Sequence, residues 1–342
     1  MRVLFILKKT VYDYADAGYC DDHAGGLLNS CRFIVDMLNQ NGVAAKIAVV
    51  TDNNDIDREV TAYQPDVAII EALWVVPEKF DILSQLHPTV TWVVRLHSDL
   101  PFLSSDGIAF LWIKGYLDRN VYVATNKQRT QDDLVRVFGD EGGFIHLPNY
   151  YPVTKPSVKQ AFTGLNIGCF GAIRPLKNQL VQAVAAVEYA DQTSQTLNFH
   201  MNGTRTESGG NAILKNIQSM FAETNHTLVL HPWLPHNEFL MLMAQMDLAL
   251  AVSFSETFCI TAADAVNVGV PLVCSDQIPW ADSSSVVEDP TDTGEIRGKM
   301  ARLLRSDFLS NLFNLRNLKG YSKRSTKTWL AVLDEISKYD YT

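Results

Sequence analysis

Short apolar runs alternate with stretches in which apolar residues recur every three or four positions, from one end of the chain to the other. VLFIL (3–7), AKIAVV (45–50), DVAII (66–70), VTWVV (90–94) and VYVAT (121–125) predict the strands of a first half. LNIGCFG (165–171), LNFHM (197–201), TLVLH (227–231), DLALAV (247–252) and PLVCS (271–275) predict those of a second. Runs this short and this apolar, separated by helical spacing, are the signature of βαβ units on parallel sheets covered on both faces. Between the first two runs, Leu28, Cys31, Ile34, Val35 and Leu38 predict one face of a helix that Gly42 ends.

The pattern breaks once, at HLPNYYPVTKPSV (146–158), where prolines and polar residues interrupt it. The boundary is expected there, giving an N-terminal Rossmann-like domain over 1–150 and a C-terminal one over 151–314. A polar helical tail over 315–342 is expected to pack back on the first domain. Two such α/β domains in tandem imply a cleft, with ligands at the carboxyl ends of the strands.

Composition narrows the class without naming a reaction. The 342 residues are 47% hydrophobic and 20% charged, the balance of a folded protein rather than a disordered one. No apolar run reaches the roughly 18 residues that cross a bilayer, and the charged opening MRVLFILKK does not read as a signal peptide. A cytoplasmic location is expected. The five cysteines are scattered and include no Cys-x-x-Cys pair, so they read as reduced thiols.

The richest stretch is SFSETFCITAADAVNVGVPLVCSD (253–276). It predicts a strand ending in a polar loop with Ser253, Ser255 and Glu256, then a helix through Val266 capped by Thr257 or Ser255, then a stop at Gly269 and a strand opened by Pro271. Asp264 falls about two helical turns beyond Glu256. Two carboxylates so placed can hold two parts of one polyhydroxylated ligand. They fit equally a plain structural role, with Glu256 beside the helix dipole and Asp264 on a solvated face.

The segment resembles the Glu-x7-Glu motif of retaining, family-4-like glycosyltransferases of the GT-B fold, with Asp264 standing where the family has its second Glu. The resemblance implies that Glu256 contacts the transferred sugar, that Asp264 binds the ribose hydroxyls, and that Ser255, Thr257 and Phe258 belong to the donor site. The shorter Asp264 is a departure from the pattern.

LNIGCFGAIRPLKNQ (165–179) reads as a strand, a glycine turn at Gly171 and a helix opening at Pro175, with Arg174 and Lys177 at its first turn. Two cations at a helix start form a reasonable diphosphate clamp, and they also fit an ordinary solvated helix end. The stretch resembles the Arg-x-x-x-Lys signature of the same enzymes, one residue shorter, which implies that Arg174 and Lys177 neutralise the leaving nucleoside diphosphate.

Other candidates are carried by the same resemblance. Gly25 and Gly26, after His23 and Ala24, open the first helix and let backbone approach a ligand; the spacing is not a Gly-x-Gly-x-x-Gly fingerprint, which disfavours a dehydrogenase. His97 follows the fourth strand and is implied to touch the transferred sugar, with Asp99 a nearby acceptor contact. Asn202-Gly203-Thr204 matches the glycine turn beside the donor. HPWLPHNEF (231–239) has the look of the base-binding loop, with Trp233 and Leu234 as walls; His231 and His236 lack a third ligand at metal spacing. Asp55-Ile56-Asp57 is the competing DxD metal pair of the other large glycosyltransferase fold, yet it lies where a helix N-terminus attracts acids anyway.

The resemblance implies a reaction with no metal, no cofactor and no protein nucleophile, and a nucleotide sugar as the donor partner. The first 150 residues hold 13 basic against 20 acidic residues, which gives no basic surface for a membrane acceptor and opposes nonspecific nucleic-acid binding. The wording SETFxIxAADAV…GVPLVxSDxIPWAD nevertheless resembles glycosyltransferases encoded in tailed-phage genomes, some of which decorate hydroxymethylated pyrimidines in DNA. Lys8, Lys9, Lys114, Arg119, Lys127 and Arg129 supply a candidate basic strip and Tyr12, Tyr14 and Tyr19 candidate stacking groups. A GT-B epimerase or phosphorylase and a noncatalytic sugar-binding protein are the alternatives.

Overall fold

The computed structural model describes residues 1–9, 25–139, 142–154, 163–305 and 308–338. The chain forms two compact units, one of Met1–Pro152 with Tyr321–Thr342 and one of Val153–Gly320.

In the first unit six parallel strands, β1 (Arg2–Lys8), β2 (Ala44–Val50), β3 (Val67–Glu71), β4 (Thr91–Leu96), β5 (Tyr122–Thr125) and β6 (Phe144–His146), lie in the order β2-β1-β3-β4-β5-β6. Their connections carry α1 (Gly26–Gln40), α2 (Asp55–Tyr63), α3 (Lys79–Leu86), α4 (Leu100–Leu103), α5 (Ala109–Leu117) and α6 (Gln128–Phe138). β3 and β4 are buried at every position, as strands covered on both faces must be. α1 buries Cys31, Ile34, Val35 and Leu38, and Gly42, at φ +82°, lets the chain turn back so that Val43 N–H reaches Leu38 O.

The second unit repeats the plan. β7 (Leu165–Gly168), β8 (Leu197–Asn202), β9 (Thr227–His231), β10 (Leu248–Ala251), β11 (Leu272–Ser275) and β12 (Val286–Val287) lie parallel in the order β12-β11-β10-β7-β8-β9. They alternate with α7 (Gln179–Thr193), α8 (Gly210–Ala222), α9 (His236–Met243), α10 (Ile260–Asn267) and α11 (Thr293–Arg305), and α12 (Phe308–Ile336) follows. This sheet order reverses direction between β7 and β10, the switch point where open α/β sheets bind ligands. Trp329, Leu333 and Ile336 of α12 pack in the core of the first unit, with Trp329 Nε1 donating to Pro148 O.

Two local expectations change. The helix expected from Pro175 is a single 3-10 turn, Pro175–Lys177, closed by Asn178 at φ +56°, and α7 starts only at Gln179. Asn178 holds that conformation because its amide donates to Val252 O and Pro290 O. Likewise α10 begins at Ile260, behind Cys259 at φ +63°, with no side-chain cap from Thr257 or Ser255. Phe258 is drawn into the core against Trp280, whose indole N–H binds Phe258 O, and this delays the helix by a turn. No helix among the described residues is long and apolar enough to cross a membrane.

Candidate functional site

The loops after β7 and β10 meet at the switch point of the second sheet. Phe254 N–H donates to Leu176 O, Gln182 joins Lys177 O to Val252 N–H, and Ser275 Oγ donates to Ser253 O. These bonds set Lys177 against Glu256: the ammonium donates to Glu256 Oε1, which also accepts from Ser253 Oγ at 2.9 Å. Burial would push the Glu256 carboxyl up, but Lys177 and Ser253 outweigh it and hold it below the ordinary glutamate range. Burial would lower the Lys177 ammonium, and Glu256 reverses that as well. The pair is ionised, and an ammonium with three donors keeps two beyond the bond to Glu256.

Beside it, the turns after β7 and β8 are stitched together. Gly171, at φ +125°, donates its N–H to Asn202 Oδ1 at 2.8 Å, and Ile173 N–H binds Arg205 O. Arg174 pairs with Glu207 at 3.4 Å, and Glu207 also holds Arg205. Gly203 N–H binds His231 O, Asn202 Nδ2 reaches Pro232 O, and Trp233 N–H donates to Thr204 Oγ1, so the 231–235 loop is anchored to the same end of the sheet. The Trp233 ring covers the Arg205 guanidinium at 5.0 Å, and Leu234 beside it is half-buried.

The structure thus brings together Gly171, Arg174, Lys177, Asn202, Gly203, Trp233 and Glu256 of the expected donor set. Ser255 is buried and Thr257 half-buried in the same loop, whereas Phe258 faces the core rather than the site. Asp264 is not on a solvated face: it is 1% exposed, one turn into α10, and accepts from His236 Nε2 at 2.8 Å. Arg205 and Glu207 were missed by sequence reasoning, and His236 was weighed there only as a metal ligand. Their signal is positional only, since each follows a strand end that parallel pairing alone brings to the site.

In the first unit His97 belongs to a buried ionic cluster at the carboxyl ends of β3 and β4. Its Nε2 bonds Glu71, which also binds Arg95 at 3.2 Å; Arg95 in turn donates to Leu147 O and Asn149 Oδ1. Burial pushes the His97 imidazole below its ordinary value, Glu71 opposes this and Arg95 adds to it. Burial would raise the Glu71 carboxyl, but Arg95 and His97 hold it low.

Asp99 has its oxygens engaged by Leu100 N–H, Thr130 and Lys127, as the cap of α4. Gly25 caps α1, and a Cβ on Gly26 would meet open space. Lys8 lies 6.0 Å from the Trp74 ring, and the Lys9 N–H binds Val50 O. Tyr12, like Tyr14, Tyr19, His23 and Ala24, lies outside the described residues. Lys114, Arg119, Lys127 and Arg129 each face an aspartate, which compensates their charge locally. Asp55 accepts from the N–H groups of Thr51 and Asp52 and Asp57 pairs with His87, both as parts of the α2 start. No cluster of three or more metal-ligating side chains occurs among the described residues.

Residues 146–282 match the family described as Family 4 Glycosyltransferase in conflict systems. No curated protein matches the sequence. Among solved structures, a trehalose-6-phosphate synthase, OtsA, aligns with a TM-score of 0.72 at 9% identity, over 99% of this chain and 100% of that one. An α-glucosyltransferase in complex with UDP and a 13-mer DNA containing an HMU base aligns at 0.69 and 11% identity, over 99% and 100%. A UDP-forming α,α-trehalose-phosphate synthase from Burkholderia vietnamiensis aligns at 0.69 and 11%, over 98% and 97%. The chain has the GT-B fold of two Rossmann-like domains, and the family-4-like resemblance stands.

Proposed function

We propose that this chain is a glycosyltransferase that moves a sugar from a nucleoside-diphosphate donor to a hydroxyl acceptor with retention of anomeric configuration. The carrying observation is the Lys177–Glu256 pair at the sheet switch point, flanked by Arg174 and the glycine turn of Gly171. Cations there favour a diphosphate, and a held carboxylate beside them favours sugar hydroxyls.

In the reaction the bond from the anomeric carbon to the diphosphate oxygen breaks and the bond to the acceptor oxygen forms on the same face. The acceptor proton leaves on the departing phosphate. Lys177 and Arg174 stabilise the charge that develops on the diphosphate, and Glu256 orients the sugar. No side chain acts as a nucleophile, and no metal is required. The second unit is the donor domain and the first serves the acceptor. The acceptor class favoured by the phage-like wording is a hydroxymethylated pyrimidine in DNA, in line with the HMU-containing DNA bound to one structural neighbour.

Thermal-shift measurements with UDP, GDP, ADP and their sugars, without metal, test the donor site. One nucleotide is expected to stabilise the wild type and to lose that effect in an Arg174→Ala/Lys177→Ala variant. Stabilisation by none of them sinks the reading. Transfer to hydroxymethyluracil-containing DNA, compared with unmodified DNA and with simple sugar acceptors, then tests the acceptor.

A further inference from the structure

Asp264 is the residue that departs from the expected acidic pair, and its surroundings show what takes over. Aspartate is one carbon–carbon bond, about 1.5 Å, shorter than glutamate. Its side chain is 2% exposed and one oxygen is bonded to His236 Nε2 at 2.8 Å, while the imidazole in front of it is 19% exposed. Of the two groups, the imidazole is the one a ligand can meet.

His236 is also placed for that contact. It is the first residue of α9, three positions beyond Trp233, and the two residues before Trp233 are tied through His231 O and Pro232 O to Gly203 and Asn202. Asn202 in turn receives the Gly171 N–H of the turn that leads to Arg174 and Lys177. These hydrogen bonds join the loops that follow β7, β8 and β9, of which the first carries the cation pair and the last leads into His236. A diphosphate on the cations and a base on the Trp233 loop leave the ribose between them.

We propose that His236 is the ribose-contacting residue of this donor site and that Asp264 is a positioning residue behind it, so that a histidine–aspartate pair replaces one long carboxylate. The inference rests on the nucleotide-sugar reading above. It assigns the site to ribonucleotides, which it distinguishes from deoxyribonucleotides through one imidazole.

The test measures dissociation constants of UDP, GDP and ADP and of their 2′-deoxy and 3′-deoxy forms, on wild type, His236→Ala, Asp264→Asn and the double variant His236→Ala/Asp264→Glu. Wild type should favour the ribose form of its preferred nucleotide by about 3- to 10-fold, the worth of one hydrogen bond. His236→Ala should bring that ratio to near one without loss of folding, and Asp264→Asn should lower it. In the double variant the longer carboxylate should restore part of it, which a merely structural role for His236 does not predict. Retention of the ratio in His236→Ala, with loss in Asp264→Asn, overturns the proposal in favour of direct carboxylate contact. Equal wild-type affinity for ribose and deoxyribose forms overturns it while the donor site stands. Binding of no nucleotide by the wild type overturns the donor reading itself, and this proposal with it.

Discussion

Lys177 and Glu256, 79 positions apart in the sequence, form a nearly buried ion pair where the strand order of the second sheet reverses. Removing either partner leaves the other charge uncompensated at low exposure, which costs about 3 kcal/mol. Lys177→Met and Glu256→Gln are each expected to be destabilising in urea, and the double variant less so than their sum. Because the Glu256 carboxyl is held below its ordinary value, its contribution is present above about pH 4.5 and is lost as pH falls through the lowered value. The gap in stability between wild type and Glu256→Gln should therefore close in acid. A gap that is the same at pH 7 and pH 3 contradicts the pair.

Glu71 supports His97 from a fully buried position, sharing its carboxylate with Arg95. Glu71→Gln removes the group that favours imidazolium, so the His97 pKa, already lowered by burial, should fall further. Histidine NMR titration reads this directly; an upward move refutes the arrangement. The variant also strands the Arg95 guanidinium, at a cost of about 3 kcal/mol or more.

The strands were legible because their runs are largely apolar, as inner strands of parallel sheets must be; β3 and β4 are buried at every position, with Glu71, Thr91 and Arg95 the polar exceptions in their sequences. Gly42 and Gly269 were legible as helix stops, since both sit at positive φ. The late start of α10 was not, because it depends on Trp280 gripping Phe258 O from 22 residues away. The same holds for the site. Glu256, Arg174 and Lys177 stand in recognisable local patterns, whereas Glu71, Arg205 and His236 gain their roles from partners that only strand order supplies. Spacing also left Asp264 on a helix face without saying what it faces; His236 settles that.

His200 and His231 stack with ring centroids 5.2 Å apart and share a 2.9 Å bond between His200 Nδ1 and His231 Nε2. Asn166 Oδ1 accepts from His200 Nε2, so His200 Nδ1 must be the acceptor of the His231 N–H. A proton added to His200 places two donors face to face. Burial, with the charge of His231, lowers the His200 pKa to about 4. The unfolded chain takes up that proton near pH 6.5, so stability is full above 6.5 and declines, by about 3 kcal/mol in total, as pH falls to 4. His200→Gln should lose less than wild type between pH 7 and 4.5 in urea denaturation. An equal loss means that the pair does not titrate as described.

Gly210 opens α8 with its backbone against Ile173, where an added Cβ would stand 1.9 Å from the Ile173 carbonyl oxygen. Backbone cannot yield as a flexible side chain does, and Ile173 is fixed on both sides by its bonds with Arg205 O and Glu207 N–H. Gly210→Ala must therefore shift either α8 or the turn that carries Arg174, at a cost of about 3 kcal/mol or more. Gly209, next to it, offers a control: its φ is +91° but a Cβ there meets nothing within 4 Å, so Gly209→Ala pays backbone strain alone, about 1 to 2 kcal/mol. The expected order of stability is wild type, Gly209→Ala, Gly210→Ala. Because Glu207 ties Arg174 to Arg205 at the displaced turn, Gly210→Ala should also weaken nucleoside-diphosphate binding more than Gly209→Ala does. Equal effects of the two alanines on stability and on nucleotide affinity contradict this account of the contact.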